Sequence, residues 1–124
     1  MHHRSNLGKE AEEQVAQRLE QDGFTILEYN YRKKGGEIDL IATKGSLLVF
    51  VEVKMRTQSY FDLGDVITAS KQKKIIATAK DYLARRNYHH TFSYRFDVAL
   101  LQGINKKIEL TYIPNAFNEG DCTW

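Results

Sequence analysis

Two short stretches of this sequence put carboxylates and a lysine where a folded chain usually buries apolar side chains. In Leu47-Leu48-Val49-Phe50-Val51-Glu52-Val53-Lys54, strand alternation places Leu48, Phe50, Glu52 and Lys54 on one face. In Glu37-Ile38-Asp39-Leu40-Ile41, Glu37 and Asp39 share a face. If the two strands form a hairpin with an even loop, odd positions of one oppose even positions of the other. Glu37, Asp39, Glu52 and Lys54 then gather on one face. An odd loop or a bulge would scatter them. Three carboxylates side by side repel one another unless a cation joins them. Hard oxygen donors from two strands, with no His or Cys among them, suit Mg²⁺ or Mn²⁺. Taken singly, Glu52 and Lys54 could be an ordinary ion pair at a strand end, and Glu37 could be solvated at a turn. Taken together, on a strand otherwise made of Leu, Val and Phe, their burial has a cost that function commonly explains.

Two helical stretches add polar groups aimed the same way. Leu7, Ala11, Val15, Ala16 and Leu19 recur at helical spacing, and Glu12 falls within their arc while Glu10, Glu13 and Glu20 fall outside it. Glu12 is thus the acid of that helix directed toward the core, although a residue at the edge of a stripe can also reach water. Gly8, one turn earlier, allows a close approach to a sheet or ligand. In the second helix, Gln72 lines up with Ile75, Ile76 and Ala79. Its amide could position a water, contact a phosphate, or satisfy a backbone group. From Lys71 to Arg86 there are six basic residues and one acid, and Arg32-Lys33-Lys34 forms a second basic cluster. Such patches can hold a phosphate backbone even at a net charge of only +2, or can be a solvated helix face.

The elements that must position these groups read in the order α-β-β-β-α-β-β. A helix over roughly Asn6 to Asp22 is closed by Gly23; strands follow over Phe24 to Tyr31, Glu37 to Thr43 and Leu47 to Lys54, with turns at Lys33-Lys34-Gly35-Gly36 and Lys44-Gly45. Gln58 to Asp65 is a polar loop with Gly64; Thr68 caps a helix from Ala69 to Arg86, which Asn87 ends. Strands over Tyr94 to Leu101 and Lys107 to Ile113 complete the set, and from about Pro114 the tail is expected to be irregular. Hairpin-joined strands followed by a helical crossover define an α/β fold with a mixed central sheet flanked by helices. The 124 residues, 42% hydrophobic and 27% charged, suit one globular domain over 1–124 and exclude a disordered or collagen-like chain. Cys122 alone can build neither an internal disulfide nor a cysteine metal cluster. No apolar run is long enough to span a membrane, and Met1-His2-His3-Arg4-Ser5-Asn6 carries no secretory pattern, so a cytoplasmic protein is expected.

Taken in sequence, Gly8-Lys9-Glu10-Ala11-Glu12, Asp22-Gly23-Phe24, Gly36-Glu37-Ile38-Asp39-Leu40-Ile41, Val49-Phe50-Val51-Glu52-Val53-Lys54-Met55-Arg56, Lys71-Gln72 and Arg95-Phe96-Asp97-Val98 resemble the YraN-like family of small bacterial proteins. The resemblance runs from about Gly8 to Leu101. That family is similar to the PD-(D/E)xK nuclease superfamily of restriction enzymes and archaeal Holliday-junction resolvases. The resemblance implies a restriction-endonuclease-like core and a metal-dependent endonuclease acting on DNA, branched DNA included. It implies that Asp39, Glu52 and the Val53 carbonyl hold one or two Mg²⁺ or Mn²⁺ ions, with Glu12 contributing directly or through water. Lys54 would orient the attacking water or stabilise the phosphate, and Gln72 sits where some members carry a polar residue. Ile38 replaces the usual proline before Asp39. Arg56, Lys71, Lys73 and Lys74 would contact the backbone of the nucleic acid. Two alternatives stand beside this reading: a nucleic-acid-binding protein without catalysis, and a protein-interaction scaffold using Tyr60, Phe61, Tyr88 and Phe92. A homodimer is compatible with any of them.

Overall fold

The computed structural model describes residues 6–56, 67–104 and 107–119. The polar loop Gln58–Asp65, the aromatic residues Tyr60 and Phe61, Cys122 and the side chain of Leu7 lie outside them. The element order is α1 (Asn6–Gln21), β1 (Thr25–Lys33), β2 (Gly36–Lys44), β3 (Leu47–Arg56), α2 (Ala69–Arg86), β4 (Ser93–Ile104) and β5 (Lys107–Phe117). Strand order across the sheet follows the sequence, β1-β2-β3-β4-β5. Neighbours are antiparallel except β3 and β4, which run parallel because α2 carries the chain back between them. The result is the expected α/β fold, with a mixed five-stranded sheet between two helices. Among the described residues no helix is long and apolar enough to cross a membrane.

Local chemistry sets the helix ends. α1 stops at Gly23, whose φ of 95° lets its amide bond the Glu20 carbonyl while the Phe24 amide bonds that of Leu19. α2 repeats the arrangement with Asn87 at φ 57°, its amide bonding Ala84 and that of Tyr88 bonding Leu83. At the other end Thr68 accepts from the Lys71 amide at 3.2 Å, as an N-cap does.

Each helix buries one stripe. Ala11, Val15, Ala16 and Leu19 of α1 pack on Leu40, Ala42, Val49, Val51, Ala99 and Leu101. Ile75, Ile76, Ala79, Tyr82 and Leu83 of α2 pack on the opposite face, against Ile41, Leu48, Phe50, Val98 and Leu100. β3 is covered on both sides, which explains its near-continuous apolar run. Gly36 fixes how closely α2 lies on the hairpin: a Cβ there would sit 2.0 Å from Thr78 Oγ1 and 3.1 Å from the Lys74 carbonyl.

The expectation of an irregular tail from Pro114 is corrected. β5 continues to Phe117, and its pairing with β4 runs to Phe96↔Phe117. Between that pair and Val98↔Ile113, three residues, Pro114 to Ala116, stand against Asp97 alone. The bulge is held by the Asp97 carboxylate, which is fully buried. It accepts from the Asn115 amide at 2.8 Å, from Arg95 Nε at 2.9 Å and from the Tyr112 hydroxyl at 2.5 Å. Burial and this carboxylate push the Tyr112 hydroxyl well above its usual pKa. β5 is an edge strand, where a proline removes no ladder bond that the sheet needs.

Candidate functional site

The β2–β3 hairpin turns on two residues, Gly45 and Ser46, between the Lys44↔Leu47 pair, with Gly45 at φ 59°. The even loop fixes odd against even positions, as the clustering of carboxylates required. The regular pairing ends at Leu40↔Val51. One residue further, the Asp39 side chain takes over a backbone role: its Oδ2 accepts from the Val53 amide at 2.8 Å. The strand departs from simple alternation at the same place. Ile38 packs in the cluster beneath α2, whereas Leu40, two residues on, packs beneath α1.

Asp39 and Glu52 meet where the strands part. They are 7% and 9% exposed, and their carboxyl groups are hydrogen-bonded to each other. Two carboxylates cannot approach in this way with both ionised, so the pair retains a proton. Burial is the largest cause, followed by the charge of Glu52; together they push the Asp39 carboxyl up to about 8. The Val53 amide opposes that rise, and the charge of Glu12 adds to it. On its other side Glu52 Oε2 receives the Lys71 ammonium at 2.8 Å. The pair lies in a cavity of about 330 Å³, lined by Gly36, Glu37, Asp39, Glu52, Lys71, Lys74 and Ile75.

The remaining expected residues divide. Glu12 is 5% exposed and close enough for Asp39 to feel its charge, but it lines a second cavity of about 300 Å³ with Lys9, Glu13, Tyr29 and Asn30. Glu37 lines the main cleft and is paired with Arg32, Nε to Oε1 at 2.7 Å. Lys54 is half-buried opposite Leu100 of β4 and is not among the residues lining the cleft. Gln72 Nε2 donates to the Ile67 carbonyl at 3.2 Å, the backbone-satisfying role among its three alternatives. Lys74 is exposed on the cleft wall and Lys73 is exposed beside it on α2. Arg56 closes β3 with its Nε buried and without a hydrogen-bond partner among the described residues.

Two contributors were not anticipated in these roles. Lys71, expected at a phosphate, reaches across from α2 to a carboxylate on β3. Asn30 stands opposite Asp39, between the pairs Tyr29↔Leu40 and Tyr31↔Ile38. It has a left-handed φ of 53° and donates Nδ2 to Glu12 at 3.3 Å. An asparagine inside an otherwise aromatic and branched strand was the available signal, because Asn tolerates that conformation better than its neighbours do. Among the described residues no three His, Cys, Asp or Glu side chains stand close enough to hold a metal ion together. To a cation the cleft therefore offers the Asp39–Glu52 pair, hard donors that leave most of its coordination positions to water and substrate.

Fold and cleft together define a small α/β domain with a buried carboxylate pair and a lysine-bearing helix at the splayed end of a hairpin. Residues 11–101 match the Uncharacterised protein family UPF0102, the YraN-like family, and the chain belongs to it. It is 44% identical over 115 residues to a UPF0102 protein of Nitrosomonas europaea, covering 92% of this chain and 95% of that one. A UPF0102 protein of Alkaliphilus metalliredigens is 43% identical, over 90% and 97% of the two chains, and one of Treponema pallidum is 38% identical, over 94% and 96%.

Proposed function

We propose that this protein binds DNA along the α2 side of the cleft and hydrolyses phosphodiester bonds there with Mg²⁺ or Mn²⁺, in the cytoplasm. The observation that carries the reading is the buried, hydrogen-bonded Asp39–Glu52 pair, which concentrates negative charge at the end of an apolar strand. The donor set fits such an ion: the pair already accepts one cation, the Lys71 ammonium, and Mg²⁺ typically takes one or two carboxylates and fills the rest with water and phosphate. When bound, the ion would acidify a water and neutralise charge developing on the phosphate. Asp39 and Glu52 hold it, with the Val53 carbonyl as a further donor, and Glu12 tunes the potential from behind. Lys54, two residues past Glu52 on β3 though not on the cleft wall, is the residue the sequence resemblance assigns to stabilise charge on the phosphate as a point cation. Lys74, with Lys73 beside it on α2 and Arg56 at the end of β3, contacts the backbone of the DNA. The resemblance of the Asp39 and Glu52-Val53-Lys54 segments to the PD-(D/E)xK nucleases, read from the sequence, points to the same assignment. The described residues form the one sheet, its two flanking helices and their connections, with no separate module for reading bases among them, which favours structure-selective over sequence-specific cleavage.

A second reading is favoured by the Lys71–Glu52 ion pair, which balances the site without a metal: a DNA-binding protein that retains the carboxylates structurally. Incubation with branched, single-stranded and duplex DNA in Mg²⁺ and in Mn²⁺ decides between them. Hydrolysis by the wild type and none by Asp39→Ala is expected. Metal-independent binding with no product in either ion would favour the second reading.

A further inference from the structure

We infer that Lys71 is a resident counter-ion that the metal displaces, and that the displaced ammonium becomes a phosphate ligand, so that metal and nucleic acid each strengthen the binding of the other. The inference rests on the proposed metal-dependent function and adds its coupling device. Lys71 is the third residue of α2, whose first turn contains no acid. A cation there opposes the positive end of the helix dipole, so its position needs a negative partner from elsewhere. Glu52 is that partner, at 2.8 Å, with its side chain 10% exposed and that of Lys71 37% exposed. The lysine thus covers the oxygen a divalent ion would need, yet its own side chain is partly open to solvent.

A divalent ion at Glu52 and an ammonium on the same carboxylate repel each other at contact distance. The helix is held on the sheet by its buried stripe of Ile75, Ile76, Ala79, Tyr82 and Leu83. The side chain must swing instead. Its exit is the cleft mouth, where Lys74, three residues on, stands on the same helix face. Two lysines at the N-terminal end of a helix then present positive charge to a phosphate. Before the metal arrives, one of them is tied to Glu52 and only the other is available. Linkage makes the coupling reciprocal, and couplings of this kind are typically about 5- to 150-fold.

The test is calorimetric titration of Mn²⁺ into wild type, Lys71→Met, Lys71→Arg and Lys74→Met, followed by duplex-DNA binding of the same proteins in EDTA and in Ca²⁺. Lys71→Met should bind Mn²⁺ about tenfold more tightly than wild type, because the competing cation is gone. Lys71→Arg, which retains the charge and reports on folding, should bind it as wild type does. In DNA binding, Lys71→Met should lose affinity in Ca²⁺ and match wild type within about twofold in EDTA, whereas Lys74→Met should lose affinity in both. Equal or weaker Mn²⁺ binding by Lys71→Met overturns the displacement, as does an equal loss of DNA affinity with and without Ca²⁺. If neither wild type nor Lys71→Met binds Mn²⁺, the metal reading itself fails. If both bind it equally, that reading stands and only the role of Lys71 is lost.

Discussion

Replacing Asp39 with asparagine should flatten the pH dependence of stability in the metal-free protein. In the folded chain, burial and the neighbouring Glu52 hold the Asp39 carboxyl protonated up to about 8, against 3.8 when exposed. Between these values the native state retains a proton that the unfolded state has released. The stability associated with this carboxyl is therefore complete below pH 4 and falls as pH rises, until the native group itself ionises near 8. The loss is roughly 1.4 kcal/mol per pH unit, or about 3 kcal/mol between pH 5 and pH 7. Asparagine does not titrate, yet its amide oxygen can still accept from the Val53 amide and its NH₂ can donate to Glu52. Asp39→Asn should thus match wild type near pH 4 and gain on it steadily, the gap between the two melting temperatures widening by about 10 °C from pH 5 to pH 7. Thermal melts in EDTA at unit pH intervals measure this, and groups remote from the pair cancel in the difference. Parallel curves, or a variant less stable than wild type at pH 7, would refute the reasoning.

Gly36→Ala should destabilise by about 1–3 kcal/mol, since its Cβ would sit 2.0 Å from Thr78 Oγ1, and adding Thr78→Ala should recover part of that loss in denaturant melts. Asp97→Ala should cost about 3–5 kcal/mol, because it leaves Arg95, the Tyr112 hydroxyl and the Asn115 amide without their buried acceptor; urea midpoints check this, and a change under about 1 kcal/mol would mean water replaces the carboxylate. Lys54→Ala should abolish cleavage while retaining most DNA affinity, since its role is in the transition state; equal losses of binding and cleavage would move it to the backbone contacts.

The parts of this structure that could be read in the sequence are those set by local chemistry. Thr68, Asn87 and Gly23 mark helix ends because capping involves only neighbouring residues. Asp39 and Glu52 could be brought together on paper because a two-residue turn leaves only one parity for the strands. Places where a side chain replaces a backbone partner leave no such local mark. Nothing in Gly36-Glu37-Ile38-Asp39 says that pairing stops at Leu40 and that the Asp39 carboxylate takes the Val53 amide. Pro114 suggested an end to order, but a buried carboxylate eighteen residues before Asn115 supplies the acceptor that lets the strand continue through a bulge. Lys71 was visible as a basic residue; that it meets Glu52 depends on where the crossover sets α2, which Gly36 and Thr78 decide through contact rather than pattern. Gln72 shared the stripe of Ile75 and Ile76, yet it donates to the Ile67 carbonyl in the turn before the helix, a satisfaction that periodicity does not register.

The central claim is that Asp39 and Glu52 form a divalent-cation site. Crystals soaked in Mn²⁺, measured with X-rays above the manganese absorption edge, test it directly by anomalous scattering. The account predicts one strong peak between the two carboxylates, about 2.1 Å from an oxygen of each, with the Lys71 ammonium moved away from Glu52, and no such peak in Asp39→Asn. A map with no peak at this pair, or with Lys71 still bonded to Glu52 at saturating Mn²⁺, would contradict it.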